Sequence, residues 1–181
     1  MHGVVFHELK DFVDEEYGSD GWDAIMQEAD LESSMFMPFN TYPDEELFEV
    51  VRAAVEVTNS TKSELLTEFG EFAAPNLVER YNTYLDRDWS GLDVLEHTED
   101  AMHKAVRAKE DEAEPPELEC RRESDDEVVI EYSSDRQLCQ LGEGLIRGVA
   151  DTYGEDYDIT QTKCMLENDS RCEIHVKKKA Y

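Results

Sequence analysis

Long hydrophobic runs are missing from this chain. No apolar stretch in its 181 residues approaches the ~20 needed to cross a bilayer, and no signal peptide opens it. The expectation is a cytoplasmic protein with no membrane partner. Basic residues are scarce: 17 Lys and Arg stand against 45 Asp and Glu, for a formal net charge of −28. A surface of that sign repels nucleic acid and anionic lipid, which excludes both as expected partners. The acid is spread along the chain, as in a halophilic cytosol where salt screens the repulsion. No internal repeat is present, and cysteine is limited to four residues. In a reducing compartment these read as thiols or metal ligands, not as structural disulfides.

What remains suffices for one compact domain, residues 1–181, with a core and room for one cofactor. The first part, 1–112, reads as mainly helical. Val5, Leu9, Phe12 and Val13 share one helical face, and Gly18 ends that helix. Further helices are predicted from Trp22 to Leu31, from Pro43-Asp44 along Leu47, Val50, Val51, Ala54 and Val57, from Thr61 to Phe72, from Pro75 to Tyr84, and from Leu92 to Lys109. The segment KEDEAEPPELE is a charged, proline-marked connector. Beyond it, 117–181 reads as strands at Leu118–Arg122 and Val128–Tyr132, a helix from Ser134 to Tyr153, and a hairpin of Ile159–Leu166 with Cys172–Lys178. The fold class is therefore α+β, a helical layer on a small antiparallel sheet.

Tyr132, Ser134 and Arg136 form a Y-x-S-x-R motif where strand passes to helix. A phenol, a hydroxyl and a guanidinium gathered in one place suit carboxylates, because Arg grips them bidentately. The same residues also read as a strand end, a capping serine and a surface arginine.

This motif, its distance from His103 and the opening MHGVVFHELKDFVDEEYG resemble the haem nitric-oxide/oxygen-binding (H-NOX) domains, over essentially the whole chain. These include bacterial gas sensors and the haem domain of soluble guanylate cyclase. The resemblance implies the H-NOX fold, with haem b held between the helical and strand parts. It implies that Tyr132, Ser134 and Arg136 bind the haem propionates. It implies His103 as the axial iron ligand, since the family's histidine precedes a proline pressing on the porphyrin by about the thirteen positions that separate His103 from Pro116. His97 is the rival on the same helix, and helical periodicity does not separate the two. His2, His7 and His175 read as surface or structural residues.

Oxygen-binding relatives carry a distal tyrosine five residues past the arginine of the motif; here that position is Leu141. Alignment from the shared start and from Gly70 makes Val5, Leu9, Ala73 and Leu77 the other distal residues. All are apolar, so the resemblance implies binding of nitric oxide and carbon monoxide and exclusion of oxygen.

Cys164 and Cys172 lie four residues either side of Asn168, and regular pairing would make them cross-strand neighbours. Cys139, Cys164 and Cys172 match the cysteines of a structural zinc site in some bacterial H-NOX domains. The histidine those domains add is Gln161 here, a poor zinc ligand. Zinc and free thiols both stand as readings, and Cys120 reads as a buried strand residue. The expected function is a haem-based gas sensor that is not an enzyme and signals to a separate partner. In the family that partner is a histidine kinase, a cyclic-di-nucleotide enzyme or a chemotaxis protein. The alternative is a haem-free zinc/thiol redox sensor working through Cys139, Cys164 and Cys172.

Overall fold

The computed structural model describes residues 1–31, 35–109 and 114–180. Residues 110–113 of the expected connector, and with them the expected end of the helical part, lie outside the described residues. Four helices come first: α1 (Gly3–Tyr17), α2 (Ser19–Ala29), α3 (Asp44–Thr58) and α4 (Lys62–Arg80). Their apolar faces close one cluster, with Phe6, Leu9, Phe12, Ile25, Leu47, Val50, Leu65 and Phe69 buried in it. Phe6 also stacks on Phe36, with ring centroids 4.0 Å apart.

The expected break before Pro75 does not occur: Lys62–Arg80 is one helix with Pro75 inside it. A proline inside a helix removes a hydrogen bond to the carbonyl four residues back and costs about 3 kcal/mol. Two features outweigh that here. A capping box joins Thr61 and Glu64 at the start. Along its length α4 packs on α7 (Cys139–Tyr153) at backbone contact. A Cβ on Gly144 would stand 2.1 Å from the Thr67 carbonyl oxygen, and one on Gly70 would stand 2.6 Å from that of Leu141. No Cβ fits at these two positions, so the glycines set the spacing of the helices. The Glu71 carbonyl, which Pro75 deprives of its helical donor, faces Gly148 across the same seam.

The expected helix from Leu92 to Lys109 is continuous but not uniform. α5 (Gly91–Thr98) and α6 (Lys104–Lys109) flank a π turn, Glu99–His103. Such widened turns are rare and occur frequently at functional sites.

The second half is a four-stranded antiparallel sheet, β1 (Glu117–Ser124), β2 (Glu127–Ser133), β3 (Tyr157–Lys163) and β4 (Cys172–Lys178), in the order β1-β2-β4-β3. Val128, Ile130, Ile174 and Val176 bury one face against α5 and α7, forming a second cluster with Leu92, Val94, Ile146 and Val149. The α7 helix begins at Cys139, not at Ser134. Residues 134–138 form a tight turn in which Gln137 has φ +50° and the Arg136 N–H donates to Ser134 Oγ at 3.3 Å. Ser134 thus shapes the turn and does not cap the helix. No helix among the described residues is long and apolar enough to cross a membrane.

Candidate functional site

Between the two clusters lies a cavity of about 300 Å³, walled almost wholly by carbon. β2 and the turn after it supply Ile130, Tyr132, Ser134, Arg136 and Leu138; α4 supplies Ala74, Leu77 and Val78, and Tyr81 follows at its C-terminal end. α1 supplies Val4 and Val5, α7 supplies Leu141 and Leu145, and the π-turn region supplies Thr98, Met102, His103 and Val106. Pro115 and Pro116 close it from the connector.

Val5, Leu77, Leu141, His103, Pro116, Tyr132, Ser134 and Arg136 all line the one cavity. Leu9 and Ala73 do not. Both are buried in the helical cluster behind the wall, and Ala74 is the residue that α4 turns inward. Of the two rival histidines, His103 lines the cavity, whereas His97 stacks on Trp89 at 4.7 Å. His2 is not a bystander: its Nδ1 accepts the Val4 N–H at 3.2 Å, capping α1, and it lines the cavity. His7 pairs with Asp11 on the surface, and His175 sits between Glu127 and Glu173.

His103 is 16% exposed, and burial drives its pKa down to about 4 although the Pro116 carbonyl draws the other way. Its ring is therefore neutral near pH 7, the form that can ligate a metal. Nδ1 lies 3.0 Å from Glu99 Oε2, and Glu99 also pairs with Arg107.

Tyr132 is buried, and its hydroxyl accepts the Leu138 N–H at 3.1 Å. Burial raises its pKa against the pull of Ser134 and Leu138, so the phenol keeps its proton and stays a donor. Arg136 is only 12% exposed and is not the surface arginine of the bland reading. Its guanidinium donates to the Glu114 carbonyl. Its Nε stands 2.7 Å from Asp44 Oδ2, yet the N–H is not aimed there and finds no acceptor among the described residues. Asp44 also holds the Met1 amino group at 2.7 Å. Burial works to raise the Asp44 pKa, but the amino group and Arg136 outweigh it and hold the carboxylate low. A buried guanidinium N–H with unused capacity, beside a protonated phenol and a hydroxyl, fits the carboxylates of an amphiphile whose body fills the cavity.

A second cluster sits one strand away. The ligand atoms of Cys139, Cys164 and Cys172 all lie within 4.8 Å of one another. Cys139 and Cys172 sulfurs are 3.2 Å apart, and the Met165 N–H points at Cys172 Sγ at 3.3 Å. Burial first, then Cys172 and Cys164, raises the Cys139 pKa, so that thiol keeps its proton. The expected pairing of Cys164 with Cys172 across the hairpin is not seen. β3 ends at Lys163 after a register shift, and Cys172 pairs instead with Tyr132 of β2. Gln161 donates its amide to the Lys163 carbonyl at 3.0 Å. Cys120 is half-buried on β1, where burial, then Glu96 and Asp100, push its thiol up to about 12.

The family model that matches is described as Haem-NO-binding and covers residues 2–161. The chain is 22% identical over 176 residues to Soluble guanylate cyclase 89Db of Drosophila melanogaster, which covers 93% of this chain and 25% of the cyclase. It thus spans about a quarter of the length of that relative. An H-NOX protein from S. oneidensis, solved in the Fe(II)NO state, matches 99% of this chain and 100% of its own at TM-score 0.91 and 22% identity. The unliganded Fe(II) H-NOX protein from K. algicida matches 100% of this chain and 98% of its own at TM-score 0.88 and 21% identity. These likenesses carry the fold.

Proposed function

This chain belongs to the Haem-NO-binding family, known as H-NOX, and on that premise we propose that it is a haem-based nitric-oxide sensor that signals to a separate protein. The observation that carries the reading is one apolar cavity lined both by a neutral buried imidazole, His103, and by the Tyr132, Ser134 and Arg136 donors. Haem b, when bound, would supply an iron that takes up a diatomic gas.

His103 would ligate the iron through Nε2, and Arg136, with the Tyr132 and Ser134 hydroxyls, would hold the propionates. Pro116 would press on the ring from the connector. Val5, Leu77 and Leu141 offer no hydrogen bond to a bound gas, which favours nitric oxide and carbon monoxide over oxygen. A change at His103 would be felt first by the helix that carries it. Arg122 ties that helix to the sheet, through Asp93 at 2.5 Å and Glu96 at 2.8 Å, so β1 feels the movement. The receiver would be a histidine kinase, a cyclic-di-nucleotide enzyme or a chemotaxis protein. The reading gives this chain no reaction of its own.

The thiol cluster supports a second cofactor. Tetrahedral zinc with thiolates at about 2.3 Å needs sulfurs roughly 3.8 Å apart, a spacing the 4.8 Å limit on this cluster accommodates. Zinc would then be structural, with a water or carboxylate as fourth ligand. In the alternative reading, a haem-free redox sensor, the same thiols do the sensing. The absorption spectrum of protein purified with haem available is the test. A Soret band that moves on adding nitric oxide to reduced protein is the expected result, and a chain that takes up no haem would leave the thiol reading standing.

A further inference from the structure

The π turn does more than carry His103. Its closing hydrogen bond runs from the Lys104 N–H to the Glu99 carbonyl, and it brings the Glu99 side chain beside the imidazole. Glu99 Oε2 is 3.0 Å from His103 Nδ1, with the two side chains 24% and 16% exposed. A carboxylate only accepts, so this contact favours the ring's proton on Nδ1 and leaves Nε2 with its lone pair. Carboxylate partners of this kind fix a ligating histidine's orientation and raise its basicity. The other Glu99 oxygen is taken by Arg107, one further turn along. That guanidinium draws charge away from the carboxylate and tempers its effect on the ring.

We propose that Glu99 is a positioning residue for the axial ligand: it locks His103 in the Nδ1–H tautomer and strengthens Nε2 as a donor, with Arg107 setting how strongly. The inference rests on the reading of His103 as the iron ligand. It adds a carboxylate behind the imidazole that would set how firmly His103 holds the iron.

The experiment compares haem-loaded wild type, Glu99→Gln and Arg107→Ala. Gln keeps the size and an acceptor oxygen but loses the charge, and the Pro116 carbonyl still faces the ring, so the ligand stays oriented. The readouts are the iron–histidine stretching band of the unliganded ferrous protein and the midpoint potential of the haem. Glu99→Gln should lower the stretching frequency, raise the potential and speed displacement of His103 by nitric oxide about tenfold. Arg107→Ala should shift both readouts the opposite way. A purely structural salt bridge would alter thermal stability and leave both where they are. Identical band positions and potentials in all three proteins overturn the proposal. An iron–histidine band that persists in His103→Gly is a different failure: the ligand assignment itself falls, and the Glu99 role with it.

Discussion

Tyr132 and Cys172 are register partners, directly opposite each other on β2 and β4. One belongs to the proposed propionate clamp and the other to the thiol cluster. The two sites are also joined through the chain: the Tyr132 hydroxyl holds the Leu138 N–H, and Cys139 follows immediately. Whatever fixes the cysteines therefore also fixes the turn that carries Ser134 and Arg136. If zinc occupies the cluster, it braces the haem pocket from behind.

Reduced protein never exposed to chelator should then carry about one equivalent of zinc, and Cys172→Ala should lose it. Thiolate ligation requires deprotonation, so acid and oxidants should release the metal as well. The release should loosen the clamp and weaken haem retention. Metal analysis that finds no zinc in such protein would leave three hydrogen-bonded thiols as the occupants.

Much of this architecture is legible in the amino-acid order. The helices and strands follow from period-3.6 and period-2 patterning, and the Y-x-S-x-R motif is local. The rest is not local. Asp44 reaches Arg136 from more than ninety residues away, and no periodicity announces it. The α4 helix runs through Pro75 because glycine contacts with α7 decide the matter, and a local breaker rule does not see those contacts. The π turn has no sequence mark, since residues four apart adjoin in α and π turns alike. Ala73 was one position out of helical phase with Ala74, Val78 and Tyr81. Leu9 follows Val5 on the same face, but it tips into the core with Phe12 and Val13.

The choice between the two histidines yields a clean experiment. His103→Gly should lose most haem, or keep it only when free imidazole is supplied. His97→Gly removes a ring stacked on Trp89, away from the cavity wall, and should keep a normal Soret band. Loss of haem in the His97 variant alone would reverse the assignment.

Arg136 is the only permanent charge in the motif. A charge-assisted hydrogen bond is worth about 1.5–3 kcal/mol, so Arg136→Ala should weaken haem binding tenfold or more. Asp44 stands 2.7 Å from the Arg136 guanidinium and would compete with a propionate for it. Asp44→Asn should therefore leave haem affinity unchanged or raise it, measured by haem transfer to an apo-globin acceptor. Weaker binding in Asp44→Asn would show that the acid supports the clamp and does not compete with it.

The His103 pKa predicts a pH dependence in haem-free protein. Its folded value is about 4 against 6.5 for the ordinary group. The folded value is the lower one, so unfolding takes up a proton between these limits. The neutral ring's contribution to stability is complete above about pH 6.5 and is lost as pH falls toward about 4, for a total of ~3 kcal/mol at full burial. Urea unfolding across that window reads the effect as the difference between wild type and His103→Gly, compared in the Glu99→Gln background so that the carboxylate beside the ring does not contribute. Parallel curves for the two proteins would show that the imidazole is not held neutral.

Gas selectivity is the sharpest test of the functional reading. Val5, Leu77 and Leu141 give the cavity wall no donor where the family's oxygen binders carry a tyrosine. Reduced protein should bind nitric oxide and carbon monoxide and form no stable oxygen complex in air. Leu141→Tyr should supply one hydrogen bond to bound oxygen. At roughly 0.5–1.5 kcal/mol, and more to a partly charged acceptor, that bond could raise oxygen affinity about tenfold. Tyr81 sharpens the test, because its side chain also lines the cavity, one helical turn past Leu77. If the unsubstituted protein shows a stable oxy spectrum, the nitric-oxide-selective reading falls. Tyr81→Phe then identifies the cause: loss of that spectrum in the variant makes the Tyr81 phenol the donor, and its persistence points to another group on the wall.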